Sequence, residues 1–222
     1  MFGVPQVNTT PGRALAWTEI DLAPDSPGVY AWYSRLAISR ADIEQIVAKV
    51  EAAKKESEQA ARAEVEKALD RFIFNPYRES PYRVHLRGPL KPRFSGEVDH
   101  EPSKSDSLMA RLVQNPERFR AIAGILSNAA PWFTAPLYIG MALNLRSRLR
   151  THKNKILEFR DNWGSGAIQD TGDAGFASQV VARGFDPTNL FVHVAEVNVD
   201  NGEHNDIENI LNRINYPIFG RN

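Results

Sequence analysis

Leu137-Tyr138-Ile139-Gly140-Met141-Ala142-Leu143-Asn144-Leu145-Arg146-Ser147-Arg148-Leu149-Arg150-Thr151-His152 is the stretch from which the rest of the chain can be read. Its first five residues read as a strand, with Tyr138 and Gly140 on one face. Asn144 can cap a helix whose core face is Leu145, Leu149, Ile156 and Leu157. Arg148 and His152 are four residues apart on that helix, so they share a face. Upstream, the turn signal Pro27-Gly28 leads into Val29-Tyr30-Ala31-Trp32-Tyr33, a strand with Tyr30 and Trp32 on one side. Leu190 to Val199 is apolar on both faces, which predicts a strand central to the sheet, with His193 as a hydrogen-bonded core histidine. Asp200-Asn201-Gly202 turns it into a last helix with Ile207, Ile210, Leu211 and Ile214 as the buried stripe, and Pro217 stops that helix.

The remaining chain is organised differently. Residues 1–26 read as an arm leading into the first strand. Ser39-Arg40-Ala41-Asp42 fits a capping box, and no Pro or Gly falls between Ala41 and Phe72, which predicts one long helix, docked at both ends and exposed between them or paired with another chain. Its middle, Lys54 to Arg62, offers only alanines as apolar residues. Residues 75–104 hold five prolines and an alternating stretch, Tyr82 to Leu86, expected as an edge strand or hairpin. Two shorter helices follow, one through Leu108–Val113 and one from Asn115-Pro116 to Leu126. Residues 161–188 read as a Gly- and Asp-rich loop with a short apolar segment near Val180-Val181.

At 222 residues with 42% apolar content the chain can hold one decorated domain with a packed core. There is no cysteine, which removes disulfide frameworks, thiolate metal sites and thiol nucleophiles. No run reaches bilayer length and the first residues lack the regions of a signal peptide, so no membrane association and a cytoplasmic location are expected. The 27 basic and 27 acidic residues cancel, so any nucleic-acid surface must come from local clustering. Two basic clusters exist: Arg146, Arg148, Arg150, Lys153 and Lys155, and then Arg78, Arg83, Arg87, Lys91 and Arg93.

Gly28-Val29-Tyr30, Tyr138-Ile139-Gly140, Arg148 eight positions after Gly140, His152 four further on, and Glu208 nine residues before Pro217 together resemble the signature of the GIY-YIG nucleases. The resemblance covers residues 26–33 and 136–222. It implies an α+β fold, a small three-stranded antiparallel sheet flanked by helices, and makes residues 1–222 a single domain. Residues 34–134 then form a mainly helical insertion of a long helix, a basic hairpin and two shorter helices.

The resemblance also implies a metal-dependent endonuclease that hydrolyses DNA phosphodiester bonds, of the restriction or phage-defence kind. Its catalytic set would be Tyr30, Tyr138, Arg148, His152 and Glu208, with Glu208 holding one magnesium or manganese ion. Gly28, Gly140 and Asn222 would support them, although Asn222 sits two positions beyond the family spacing, where Gly220 stands. The residue types suit the chemistry: Arg148 offers a planar fork to phosphate, a carboxylate suits a hard cation, and a phenol can orient or deprotonate water if its pKa is depressed. Either tyrosine could be that base, with Tyr30 favoured. Double-stranded DNA is the expected partner, contacted by Arg83, Arg87, Arg93, Arg146, Arg150, Lys153 and Lys155, and the insertion is a place where two copies could pair. The rival expectations are a catalytically silent nucleic-acid-binding module on the same fold, and a repair or mobile-element nuclease.

Overall fold

The computed structural model describes residues 12–78, 81–86, 93–99, 102–129, 132–163, 175–197 and 203–219. The chain is α+β, and its contacts divide it into two compact units, Met1–Ala37 with Gly124–Asn222, and Ile38–Ala123.

The first unit is built on four antiparallel strands: β1 (Arg13–Ala16), β2 (Gly28–Ser34), β5 (Tyr138–Ala142) and β6 (Leu190–Glu196), in the order β1-β6-β2-β5. The resemblance implied three strands, and the fourth comes from the segment expected to be an arm. Without β1 the apolar strand β6 would be a bare edge, open to pairing with other chains. Pairing with β1 covers it and buries Leu15. The two predicted tyrosine strands are neighbours, with Tyr30 directly opposite Gly140 and Trp32 opposite Tyr138. As expected, β6 lies inside the sheet, but His193 is exposed on it. Its ring packs 5.0 Å from that of Tyr33 on the face away from Tyr30.

Three helices accompany this sheet. Helix α5 (Leu145–Asp161) starts where Asn144 accepts a hydrogen bond from the Ser147 amide at 2.8 Å, the cap expected from sequence. Its buried side chains are Leu145, Leu149, His152 and Ile156. Helix α6 (Phe176–Ala182) occupies part of the predicted loop, stacking Phe176 on Trp32 at 5.4 Å. Helix α7 (Glu203–Asn215) contacts β2 and β5, and only half of the predicted stripe faces inward. Ile207, Glu208, Leu211 and Asn212 are half-buried, while Ile210 and Ile214 are 58% and 66% exposed. The helix is thus rotated so that polar residues share its inner face.

In the second unit the expected single helix is a hairpin of two, α1 (Arg40–Lys54) and α2 (Glu58–Leu69). The alanine-rich middle is where the chain folds back. Ser57 caps α2 by accepting from the Ala60 amide at 3.0 Å, and Ala53 and Ala61 are buried. The small side chains allow close approach of the two helices, which exposes no long solvated rod. With α3 (Asp106–Gln114) and the start of α4 (Arg118–Ala129), these helices enclose Val50, Val65, Leu112 and Phe119. The predicted hairpin is present as β3 (Tyr82–Leu86) paired with β4 (Phe94–Val98). Among the described residues no helix is long and apolar enough to cross a membrane.

Candidate active site

Strands β2 and β5 and helix α5 bring their functional side chains together through one close approach. A Cβ on Gly140 would lie 2.6 Å from the Tyr30 hydroxyl and 2.8 Å from Tyr138 Cε1, so only glycine leaves room for the Tyr30 ring across the strand pair. Gly28 has an equally steric role, because a Cβ there would meet the Ala195 carbonyl and the Leu145 side chain.

With that space kept, the Tyr30 hydroxyl reaches α5. Arg148 Nε donates to it at 3.2 Å, and it lies 2.8 Å from His152 Nε2. Burial, followed by the positive charges of Arg148 and Lys155, pushes the His152 pKa down to about 3, so its imidazole is neutral at ordinary pH. The Tyr30 oxygen accepts from Arg148, and a neutral His152 either takes the Tyr30 proton at Nε2 or donates its own there, according to its tautomer. Tyr30 is only 2% exposed, and burial first, then the neighbouring Tyr138, raises its pKa above the ordinary phenol value. The hydrogen bond to Tyr30 raises the Arg148 pKa against the opposing cost of burial.

Tyr138, Arg148, His152 and Glu208 line one cleft of about 1420 Å³ bounded by β5, α5, α6 and α7, and Tyr30 sits behind its wall. Arg148 and Glu208 both bear electrostatically on Tyr30. Lys155 is also in the cleft. Three other expected nucleic-acid contacts are not. Arg146 forms an ion pair with Asp25, Arg150 pairs with Asp21, and Lys153 donates to the Trp17 carbonyl at 3.3 Å. These cations lie on the opposite side of α5 from Arg148 and His152, where they hold the segment before β2 in place. Arg150 in turn lowers the pKa of Asp21.

Arg83 and Arg93 are exposed in the second unit, Arg83 facing Glu97 across the hairpin at 3.6 Å, while Arg78 bonds Asp99 at 2.8 Å. Arg87 and Asn222 lie outside the described residues.

The cleft contains groups that sequence reasoning passed over. Asn212 lies one turn after Glu208 and lines the same wall. Its Nδ2 donates to the Glu208 carbonyl at 3.0 Å, and Oδ1 is buried with no hydrogen-bond partner among the described residues. Flipping the amide would set two oxygens against each other, so the orphan is the acceptor. Spacing of four from Glu208 was a legible signal, masked by counting Ile210 and Ile214 with Ile207 and Leu211 in the buried stripe. Arg213 and Tyr216 also line the cleft.

No family model, curated protein or solved structure matches the chain.

Proposed function

We propose that this chain is a GIY-YIG nuclease, a metal-dependent endonuclease that hydrolyses DNA phosphodiester bonds and serves restriction or phage defence. One observation carries the reading. Tyr138, Arg148, His152 and Glu208, drawn from a strand and two helices, line a single cleft with Tyr30 bonded behind them.

The residues divide the work of phosphodiester hydrolysis. Arg148, held by Tyr30, meets the phosphate and stabilises the charge that grows on its oxygens. The Tyr30 hydroxyl is committed to Arg148 and His152 and is shut off from solvent, which disfavours it as the group that meets water. Tyr138 opens onto the cleft and takes that place, orienting the attacking water. His152 stays neutral and fixes the Tyr30 hydroxyl.

Glu208 is the carboxylate that lines the cleft and would hold one hard divalent cation; among the described residues no three His, Cys, Asp or Glu side chains cluster. Such an ion would complete its shell with phosphate oxygens and water. A bound magnesium or manganese ion supplies Lewis-acid charge at the phosphate.

The test is incubation with plasmid and phage DNA, and with RNA, with and without magnesium, followed by mapping of the ends. Metal-dependent internal cuts in DNA support the reading. Intact DNA bound with measurable affinity would favour the silent binding module.

A further inference from the structure

Helix α7 departs from the usual division of a surface helix into an apolar inner face and a polar outer one. Its wall of the cleft carries Asn205, Asn209, Asn212 and Arg213 beside Glu208, while Ile210 and Ile214 are exposed outside that strip. Asparagine is a poor helix former, because its short amide competes for backbone groups. The helix nevertheless places three of them along the cleft at spacings of four and three, which puts them on one face. Asn212 turns back onto the Glu208 carbonyl. Asn205 and Asn209 are exposed, and their carboxamides make no hydrogen bond among the described residues.

Asn205, Asn209 and Arg213 are each one turn apart and exposed, so two carboxamides and a guanidinium form a row along this wall. The Arg213 fork gives one of its five donors to the Asn209 carbonyl, at 3.2 Å, which steadies it on the helix. The opposite wall, α5, presents the cations Arg148 and Lys155. The cleft therefore has a cationic side suited to phosphates and an amide side suited to something uncharged. A carboxamide offers a donor beside an acceptor. In a nucleic acid that pair matches N7 and N6 of adenine, as the guanidinium fork matches O6 and N7 of guanine.

Resting on the nuclease reading above, we infer that α7 reads base edges in the major groove of duplex DNA beside the phosphate held by Arg148, Asn205 and Asn209 each taking an adenine and Arg213 a guanine. Four residues of helix rise about 6 Å, against about 3.4 Å for each base pair, so successive contacts along the groove fall about two base pairs apart. Sequence preference then comes from the same helix that carries Glu208. Duplex RNA is excluded, because its major groove is too deep and narrow for side chains to read.

The experiment selects duplexes of random sequence by binding in EDTA and sequences them, for wild type, Asn205→Ala, Asn209→Ala and Arg213→Ala, with thermal denaturation and cleavage in magnesium run in parallel. The wild type should select adenine at two positions and guanine at a third, about two base pairs apart. Each variant should lose the preference at one position, on the order of tenfold or more, and keep the others, since that is the discrimination of one bidentate base contact. Melting temperatures should hold or rise, because alanine is the best helix former. Placing 7-deazaadenine at the position that Asn209 reads should weaken the wild type to the same degree and leave Asn209→Ala unaffected, a coupling that a structural asparagine would not show. No base preference in the wild type, or one that all three variants retain, overturns the inference and leaves the nuclease reading intact. So does equal binding of duplex RNA, or a lost preference that comes with a lower melting temperature in all three variants. The expected preference in a protein that never cuts supports the base contacts and overturns the nuclease reading alone. Wild-type protein that neither binds nor cuts nucleic acid overturns both.

Discussion

Replacing Gly140 by alanine adds one methyl group at the point where two strands and a helix meet. That Cβ would stand 2.6 Å from the Tyr30 hydroxyl and 2.8 Å from Tyr30 Cζ. Ordinary contact needs roughly 3.5–4.0 Å, so the phenol must withdraw by about 1 Å. It has nowhere to go without cost, being almost wholly buried with its ring 5.6 Å from that of His152. Overpacking of this kind costs about 1–3 kcal/mol. Loss of the Arg148 bond to the displaced hydroxyl adds roughly 1.5 kcal/mol or more, because a charged donor is involved.

A destabilisation of about 3 kcal/mol corresponds to roughly 6–12 °C in melting temperature for a chain of this size. Arg148 would lose its anchor, and a misplacement of about 1 Å at a reacting centre costs on the order of a hundredfold in rate. Differential scanning calorimetry and single-turnover cleavage below the lowered melting temperature measure the two effects separately. A variant with wild-type melting temperature would refute the packing argument. A destabilised variant that still cuts at the wild-type rate would show that the Tyr30–Arg148 contact has no part in catalysis.

Glu208→Gln should abolish metal-dependent cleavage and weaken manganese binding followed by calorimetry, while DNA affinity holds or tightens because a negative charge beside phosphate is gone; activity that persists in EDTA would contradict it. The fold should also lose stability in acid. His152 titrates at about 3 in the folded chain against 6.5 when unfolded, so below pH 6.5 the unfolded state binds the extra proton. Stability is then full above pH 6.5 and falls by about 1.4 kcal/mol per pH unit toward pH 3 from this group alone. Denaturant melts of wild type and His152→Gln across that range check the slope, which should be shallower in the variant.

Much of this site was legible because its parts are local. The Asn144 cap, the four-residue spacing of Arg148 and His152, and the alternation around Tyr30 and Tyr138 are determined by neighbouring residues, and the structure reproduces them. The parts that escaped depend on distant partners. Arg13–Ala16 is too short to show an alternating pattern, and only its pairing with β6 makes it a strand. Arg146 and Arg150 looked like free cations until Asp25 and Asp21 folded against them from more than a hundred residues away. The break between α1 and α2 carries no proline or glycine, and its one signal was the capping residue Ser57 inside an alanine-rich run. The face that α7 presents inward is set by tertiary packing, so hydrophobic spacing alone pointed to Ile210 and Ile214 and concealed Asn212.

Arg148→Ala against wild type, in magnesium on plasmid DNA, tests the central claim most directly. Arg148 stands partly exposed at the cleft, so its removal should leave the fold intact and lower the cleavage rate by about a thousandfold or more, through lost charge stabilisation of the transition state. A folded Arg148→Ala protein that cuts as fast as wild type would contradict the account.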